Sequence, residues 1–304
     1  MYRVDVIIPT YRPGKDFADV LMKLSKQTYP IHKLIVMNTE KEYWDNSLES
    51  LFPGMVVEHL FKEEFDHGGT RRKAAELSDA DIMVFMTQDA EPENEYLIDK
   101  LVKALCAQDM IGAAYARQLP REDCNELEKY TRSFNYPEHS SVKTKADLPE
   151  YGIKTFFCSN VCAAYKKSVY EKSGGFVEKA IFNEDMIYAG KLIDAGYGIA
   201  YAAEARVIHS HNYSGLQQLH RNFDLGVSQA QHPEVFQGIA SEGEGIRLVL
   251  KTMKYLLSKG KIWLIPKLIF QSGCKYVGYF AGKRHENLST SMVLWFTMNK
   301  SYWS

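Results

Sequence analysis

A single aspartate follows a run of apolar residues about a quarter of the way along the chain. The stretch MVFMT, residues 83–87, is typical of a strand buried on both faces, and Asp89 comes two residues later. A carboxylate at the end of a buried strand is costly unless it is paired or coordinated. Coordination of a divalent cation would satisfy it. The other reading is that Asp89 caps a helix that begins near Pro92.

Two histidines and a pair of acids later in the chain have side chains that suit similar chemistry. His209 and His211 alternate at the end of an apolar segment. Alternation along a strand would place both imidazoles on one face, where they could reach a metal or a diphosphate. Glu184 and Asp185 open a segment with helical spacing, where the helix dipole favours a carboxylate. The alternatives are an ordinary core or surface role for each histidine and a simple N-terminal position for the acids.

The elements that must position these side chains alternate between strand and helix in the first hundred residues. Apolar runs predict strands at 4–11, 33–39, 56–61 and 81–88. The segments after the first and third of these strands have the spacing of amphipathic helices. Such alternation is typical of βαβ units. We therefore expect an α/β fold with a doubly wound, mostly parallel sheet.

The rest of the chain changes character after residue 100. In chain order we expect a strand at 111–120, a polar surface excursion over 120–150, a strand and short helix within 155–176, a helix over 183–197, a strand pair within 199–214 and helices from 216 onward. The expected architecture is a doubly wound body with a helical tail.

Polar residues follow three of the predicted strands at the same end. Thr10 to Arg12 follow the first strand, Asn38 to Glu40 follow the second, and Asp89 follows the fourth. In open α/β sheets, ligands bind outside the carboxyl ends of the strands. We therefore expect these three polar loops to converge on one crevice.

Bulk properties exclude several classes of protein. The 304 residues are 45% hydrophobic and 25% charged, with a net charge of -1, which is the ordinary mix of a globular protein. Five cysteines without a CxxC pair argue for a reducing compartment and against a disulfide framework or a zinc site. No apolar run suits a signal peptide or the roughly 18 residues of a membrane span. We expect a cytoplasmic protein that does not bind nucleic acid, since no motif for such binding is present.

One segment departs from this balanced composition. Residues 246–285 contain nine Lys or Arg and no Asp or Glu, which leaves 28 basic and 38 acidic residues elsewhere. Apolar and aromatic residues are interleaved with these lysines at helical spacing. The pattern is typical of an amphipathic helix that lies in an anionic membrane interface. A basic helical pair packed on the rest of the protein would have the same pattern, and both readings stay open.

The motifs taken together resemble a known family. VIIPTYR near the amino end, Asp89 after the fourth strand, and then GGF, NEDM, GY and VIHSH in this order and spacing resemble the family-2 inverting glycosyltransferases of the GT-A fold. More narrowly, FDHGGTR, TQDAEP, EDM and HSHNYS are similar to bacterial rhamnosyltransferases that use dTDP-L-rhamnose. The resemblance covers about residues 3–230, and PKLIFQSGCKYVGYFAGK resembles the tail of those enzymes.

The resemblance implies roles for the acids and histidines. It identifies Asp185 as the catalytic base that deprotonates the acceptor hydroxyl, with Glu184 as its neighbour. It identifies Asp89 as a ligand of Mg²⁺ or Mn²⁺, with His209 and His211 as further metal ligands. The family commonly has two aspartates at this site, and Thr87 stands where the first would be. We therefore expect weak metal binding in the absence of the nucleotide, whose phosphate oxygens complete such sites.

The resemblance also implies the organisation of the chain and the residues that bind the donor. A nucleotide-sugar transferase domain would span 1–230, and a basic helical extension would span 231–304. The candidate donor-binding residues are Pro9, Thr10, Tyr11, Arg12, Glu40, Gly69, Arg71 (or its neighbour Arg72), Gln88 and Asp89.

The implied function is inverting transfer of L-rhamnose from dTDP-L-rhamnose in the synthesis of a cell-surface polysaccharide. The acceptor would be a saccharide or a polyprenyl-linked saccharide, and the tail could attach the protein to the inner face of the cell membrane. Two alternatives remain from the sequence. The donor could be a UDP- or GDP-sugar, or the chain could be an inactive binding subunit of the same fold, which the threonine at position 87 would favour.

Overall fold

The computed structural model describes residues 1–239 and 242–303. The chain folds into two compact units, each assembled from separate segments. The first unit comprises Met1–Leu119, Tyr136–Lys179 and Glu184–His209, and the second comprises Pro120–Asn135, Ala180–Asn183 and Ser210–Ser304. The domain division at residue 230 expected from the sequence stays a prediction.

The strands all belong to the first unit. In chain order they are β1 (Val4–Tyr11), β2 (Lys33–Thr39), β3 (Met55–Leu60), β4 (Ile82–Met86), β5 (Glu91–Pro92), β6 (Ile111–Leu119), β7 (Ser141–Lys143), β8 (Cys162–Lys166) and β9 (Gly198–Ile208). Within the described residues they form one sheet in the order β3-β2-β1-β4-β8-β6-β9-β5, and β7 pairs with β9. The four strands predicted in the first hundred residues are confirmed, with ends shifted by at most two residues.

The sheet is parallel where the sequence predicted βαβ units. Strands β3, β2, β1 and β4 run parallel to one another, and so do β6 and β9. Strand β8 runs antiparallel to both of its neighbours, β4 and β6. All five residues of β4 are buried, as expected for a strand covered on both faces. The α/β fold is confirmed.

The α-helices lie in both units. In chain order they are α1 (Lys15–Leu24), α2 (His67–Leu77), α3 (Leu97–Leu105), α4 (Glu126–Asn135), α5 (Leu148–Tyr151), α6 (Lys167–Lys172), α7 (Glu184–Asp194), α8 (Gly215–Gln231), α9 (Pro233–Phe236), α10 (Glu242–Ser258), α11 (Ile265–Gly282) and α12 (Thr290–Phe296). Of these, α4 and α8 to α12 belong to the second unit. None of the helices in the described ranges is both long and apolar enough to cross a membrane.

Two expectations for the middle of the chain are wrong. The segment 199–214 contains one strand, β9, which ends at Ile208, rather than a strand pair. The predicted surface excursion over 120–150 contains α4, which buries Leu127 against Leu256 and Leu268 of the second unit. The helical signal was present, since Leu127, Tyr130 and Phe134 have the i, i+3, i+7 spacing of an amphipathic helix, but the polar composition of the segment masked it.

Helices α8 and α11 form the centre of the second unit. They pack so closely that a Cβ on Gly278 would overlap the carbonyl oxygen of Leu219, and one on Gly282 would overlap that of Phe223. Small residues spaced by four let two helix backbones approach in this way. The contact fixes which side chains of α11 face α8 and which remain exposed.

Candidate active site

Gln88 ties the ends of two parallel strands together. The backbone N–H of Tyr11 donates to Gln88 Oε1 at 2.8 Å, and Gln88 Nε2 donates to the carbonyl oxygen of Tyr11 at 3.1 Å. Tyr11 is the last residue of β1, and Gln88 lies just beyond β4. The paired bonds therefore hold the segment that carries Asp89 against the carboxyl end of β1.

Asp89 faces an imidazole across the sheet edge. Asp89 Oδ2 lies 3.4 Å from His209 Nε2, and the other ring nitrogen of His209 lies 3.0 Å from Gln118 Oε1. Gln118 Nε2 donates to Ser159 Oγ, so its oxygen is the acceptor toward the ring. In a neutral imidazole, Nδ1 would then carry the ring proton and Nε2 would present its lone pair to Asp89.

This pair fits a hard divalent cation. Two acceptor atoms that face each other at 3.4 Å repel unless a proton or a cation lies between them. Neighbouring ligands of an octahedral Mg²⁺, with bonds of about 2.1 Å, lie about 3 Å apart. The bond from His209 to the Gln118 amide is the kind of outer contact that fixes the tautomer of a metal-binding histidine. Asp89 and His209 can thus hold Mg²⁺ or Mn²⁺.

The structure excludes helix capping as the role of Asp89, and it excludes strand alternation as the reason for the placement of the two histidines. Asp89 caps no helix, because Pro92 lies in β5 and the next helix, α3, begins after Tyr96. The two histidines do not owe their placement to strand alternation, because β9 ends at Ile208. His209 is the last residue of its segment in the first unit, and His211 lies two residues along, in the second unit.

Asn160 holds the two acids at the start of α7. Its backbone N–H donates to Asp185 Oδ2 at 2.9 Å, and its side-chain amide donates to Glu184 Oε1 at 2.9 Å. The Tyr165 hydroxyl donates to Asn160 Oδ1 at 2.8 Å, which fixes the orientation of the amide. Asp185 Oδ1 accepts a second backbone N–H, from Met186, at 2.8 Å. Both carboxylates are therefore fixed in position.

The two acids differ in their electrostatic partners. Glu184 Oε1 lies 3.2 Å from the Arg71 guanidinium, and the side chains of both residues are almost fully buried. Asp185 has no such ion pair in the described chain, and burial together with the adjacent Glu184 raises the pKa of Asp185 to about 7. A general base works best when its pKa lies near the operating pH. The arrangement suits Asp185, rather than Glu184, for proton transfer.

The loops after β1 and β2 contain backbone that ordinary residues rarely adopt. Arg12 has φ of 49° and Glu40 has φ of 66°, both in the left-handed region. The Arg12 guanidinium lies 4.2 Å from the ring centre of Tyr43 and donates to its hydroxyl at 2.7 Å. The Glu40 carboxylate accepts the backbone N–H of Lys62 at 2.8 Å. Backbone strain of this kind is concentrated at ligand sites.

Thr10 and Pro9 complete this edge from within β1. The Thr10 hydroxyl donates to Asn38 Oδ1 at 3.1 Å, and the Asn38 amide donates to the carbonyl oxygen of Glu40 at 3.1 Å. Pro9 pairs with Met37 of β2 in the parallel register. The ends of β1 and β2 are therefore joined by side-chain as well as backbone contacts.

The start of α2 places the remaining candidates. The backbone N–H of Gly69 donates to the Asp66 cap at 2.8 Å, and a Cβ there would meet the carbonyl oxygen of Glu178. Arg71 points inward to Glu184, as described above. Arg72 donates to the carbonyl oxygens of Gly174 and Phe176 at 2.9 and 2.8 Å, so it holds the chain together. A donor contact by Gly69 or Arg71 stays a prediction.

Several residues that shape the site carried no signal in the sequence. Gln118, Asn160 and Tyr43 are isolated polar residues in ordinary surroundings. Asn160 sits in CSNVC, just before a strand, and only the fold brings it to the start of α7. No motif spacing could have found them, since each contact joins segments at least 25 residues apart.

Comparisons with known proteins agree with this geometry. The sequence matches glycosyl transferase family 2 over residues 5–174. O-antigen chain rhamnosyltransferase RfbN of Salmonella typhimurium is 40% identical over 304 residues, covering 99% of this chain and 96% of its own. O-antigen chain rhamnosyltransferase WbaN of Salmonella anatum is 38% identical over 302 residues, covering 98% and 95%.

Solved structures share the fold. The mannosyltransferase PcManGT from Pyrobaculum calidifontis, solved in complex with GDP-Man and Mn²⁺, has a TM-score of 0.56 at 18% identity and covers 99% of this chain and 85% of its own. S. aureus TarS 1–349 has a TM-score of 0.52 at 13% identity and covers 94% and 91%. The GT-A fold expected from the sequence is confirmed. The family match spans more than half of the chain and the two relatives span nearly all of it, so this chain belongs to glycosyl transferase family 2 and is a glycosyltransferase.

Proposed function

We propose that this glycosyltransferase transfers L-rhamnose from dTDP-L-rhamnose to a saccharide or polyprenyl-linked saccharide in the synthesis of a cell-surface polysaccharide. The choice of sugar is supported by the names of the two relatives that match nearly the whole chain. They are 40% and 38% identical to it and are named O-antigen chain rhamnosyltransferases. The sequence motifs of the first subsection point to the same donor.

The proposed chemistry assigns the proton to Asp185. An acceptor hydroxyl attacks the anomeric carbon, the bond from that carbon to the diphosphate breaks, and the hydroxyl proton moves to Asp185. The pKa of Asp185, raised to about 7, supports this role, as do the two backbone N–H groups that hold its carboxylate in place. Attack opposite the leaving group inverts the anomeric centre, so a β-linked donor gives an α-L-rhamnoside.

The proposed metal ligands are Asp89, His209 and His211. The first two are supported by their facing acceptor atoms, and His211 is the sequence-based candidate two residues farther along. A divalent cation bound there would offset the charge that develops on the departing diphosphate. The hydroxyl of Thr87 is buried without a hydrogen-bond partner in the described chain and supplies no second carboxylate. Metal affinity should therefore depend on the nucleotide.

The proposed donor site lies along the ends of β1, β2 and β4. Its support is the convergence of left-handed backbone, an aromatic–guanidinium pair and the Gln88 link at this edge. The residues that would contact the donor are Pro9, Thr10, Tyr11, Arg12, Glu40, Gly69, Arg71, Gln88 and Asp89. We also keep the division into a transferase domain at 1–230 and a helical extension at 231–304 as part of the proposal.

A ligand-induced thermal shift tests the choice of donor. A ligand that binds the native state raises apparent stability. With Mn²⁺ present, dTDP-L-rhamnose should raise the melting temperature more than UDP-N-acetylglucosamine or GDP-mannose at equal concentration. A larger rise with a UDP- or GDP-sugar would contradict the proposed donor. Slow hydrolysis of the bound donor distinguishes an active enzyme from an inactive subunit of the same fold.

We also propose that α10 and α11 bind an anionic membrane surface. Apolar side chains at helical spacing along α11 are exposed to 46–65%, and they are Ile269, Phe270, Tyr276, Val277 and Phe280. Exposed Lys or Arg side chains with no ion pair among the described residues lie near this stripe in sequence, and they are Lys254, Lys259, Lys267, Lys283 and Arg284. An exposed apolar stripe with basic flanks matches the chemistry of an anionic interface.

Co-sedimentation with liposomes tests this second proposal. The full chain should sediment with vesicles that contain anionic lipid at low salt, and binding should weaken but persist at high salt because apolar burial is not screened. The double variant I269S/V277S should lose the salt-resistant part. Full-length protein that stays in the supernatant at low salt would show that the stripe is not a membrane surface.

A further inference from the structure

Two half-buried cations in the second unit have no direct ion pair among the described residues. The side chains of Arg221 on α8 and Lys275 on α11 form neither an ion pair nor a hydrogen bond with any described residue. Arg221 instead lies against aromatic rings, 4.5 Å from the centre of Phe182 and 5.7 Å from that of Tyr213. Cations withdrawn from water are costly unless an anion compensates them.

A third cation lies within electrostatic range of Lys275. Arg132 on α4 is paired with Glu128, with Nε and Oε1 2.6 Å apart and both side chains mostly buried. Lys275 interacts electrostatically with Arg132, Arg221 and Glu128. Burial lowers the pKa of Lys275, as do the two arginines, against the opposing effect of Glu128. The cluster thus holds three cations and the Glu128 carboxylate, and Asp224, three residues after Arg221 on α8, is a second carboxylate within electrostatic range of Arg221.

The helix packing explains how these charges are brought together. Leu127 on α4 and Leu268 on α11 are buried in the same small core. Lys275 lies two turns beyond Leu268 on the same face of α11, and Glu128 is adjacent to Leu127. The glycine-mediated contact between α8 and α11 fixes the backbone that carries Arg221 relative to the one that carries Lys275. The cationic cluster is therefore set by rigid helices.

We propose that Arg132, Arg221 and Lys275 form a binding site for a diphosphate ester. The cluster keeps a net positive charge after both carboxylates are counted, which suits an anion such as a diphosphate ester. Arginine and lysine together are the side chains that bind phosphate groups in proteins. The Tyr213 ring, which contacts Arg221, also lies 5.0 Å from the ring of His211, so the cluster adjoins a proposed metal ligand.

Two esters in the proposed reaction contain this group. One is the nucleotide-sugar donor, and the other is a polyprenyl diphosphate that carries the acceptor saccharide. The choice between these two esters rests on the proposed function, whereas the anion site itself does not depend on that function. Its test therefore uses binding without turnover.

Titration calorimetry with inorganic pyrophosphate in EDTA tests the site directly. Wild-type protein should bind pyrophosphate without a divalent metal. K275Q and R221Q should each weaken binding by about tenfold or more, the effect of losing a charged hydrogen bond. K300Q removes an exposed lysine elsewhere in the second unit and should bind as wild type does. Wild-type affinity in both K275Q and R221Q would overturn the proposal.

A melting experiment separates a binding role from a packing role. Without pyrophosphate, K275Q should melt at or above the wild-type temperature, because it removes a cation that two arginines repel. A large drop in melting temperature would instead show that Lys275 is a packing residue and would remove it from the site. R221Q provides the same binding test through a different helix.

Two further titrations identify the source of the diphosphate. In EDTA, weaker binding of dTDP by K275Q would assign the site to the donor. Weaker binding of farnesyl diphosphate, a short polyprenyl ester, would assign it to the acceptor. If K275Q and R221Q bind both esters as wild type does, the site does not serve either ester and the proposal fails. None of these results depends on whether rhamnose is the sugar transferred.

Discussion

Two buried aspartates, one in each compact unit, have the same direction of pKa shift in different surroundings. Burial raises the pKa of Asp224 to about 6, and burial with the neighbouring Glu184 raises the pKa of Asp185 to about 7. Asp224 accepts the Thr297 hydroxyl at 2.6 Å and the Met298 backbone N–H at 3.0 Å. It fastens the segment after α12 to the middle of α8.

Asp185 has a different kind of environment. Its oxygens accept two backbone N–H groups at the start of a helix, and a second carboxylate, Glu184, lies beside it and is paired with Arg71. A raised pKa therefore does not by itself identify a catalytic group. What distinguishes Asp185 is that a like charge is kept next to it, which costs stability and suits proton transfer near neutral pH.

The largest expected effect is a loss of turnover on substitution of Asp185 but not of Asp224. D185N keeps the shape of the side chain but removes the proton acceptor, so turnover should fall by about 10²-fold or more. D224A should keep turnover at the wild-type order of magnitude while its melting temperature falls, because Thr297 and Met298 lose their acceptor. Rates for the two purified variants check this. Near-wild-type turnover in D185N would rule out its role as the base.

The next effect concerns the metal at the same sheet edge. Calorimetry should show weak Mn²⁺ binding to the protein alone and at least roughly tenfold tighter binding when dTDP is present, since phosphate oxygens complete such sites. D89A should abolish this coupling. Transfer that continues unchanged in EDTA would contradict a metal role for Asp89.

A smaller effect on metal affinity is expected from Gln118, which contacts the metal candidate His209. Q118M removes the acceptor that fixes the His209 tautomer, so Mn²⁺ affinity in the presence of dTDP should fall by about tenfold, the lower end of such effects. S159A loses only the hydroxyl that orients the Gln118 amide and should have a smaller effect. An unchanged Mn²⁺ affinity in Q118M would show that His209 is not a ligand.

The smallest effect is on the pH dependence of stability. Because the folded-state pKa of Asp185 lies above its unfolded value, its contribution to stability is present below about pH 4 and is lost as pH rises through 7. D185N replaces one of the two oxygens that accept backbone N–H groups, which lowers its melting temperature at every pH. Relative to wild type, its melting temperature should therefore be about 2–4 °C higher at pH 8 than at pH 4, the effect of ~1 kcal/mol. A difference from wild type that is the same at both pH values would contradict the proposed repulsion.

Much of this fold could be predicted from the sequence, because hydrophobic period and strand ends are local signals. The runs at 4–11 and 33–39 became β1 and β2 with those bounds. The positions of Asp89 and Asp185 also followed from local features, a strand end and a helix start. The antiparallel insertion of β8 between β4 and β6 could not be predicted, since no local pattern encodes which strand pairs with which.

The hydrogen-bond and ion-pair partners of the site residues also could not be predicted from the sequence. Gln118 and Asn160 act through contacts with His209 and Asp185 that only the folded chain creates. The donor contact expected of Arg71 after HGGT stays a prediction, but the ion pair of its guanidinium with the buried Glu184 could not be foreseen. The sequence predicted the helix that carries Arg71, but it did not predict that Glu184 is the partner of Arg71.

The most direct test of Asp185 as the base is the pH dependence of the ratio of wild-type to D185N turnover. The measurement uses saturating donor and Mn²⁺ between about pH 5 and pH 8, so that effects on metal binding cancel in the ratio. With a pKa of about 7 for Asp185, the ratio should rise about tenfold per pH unit below 7 and level off above it. A ratio that is constant across this range would show that another group accepts the proton.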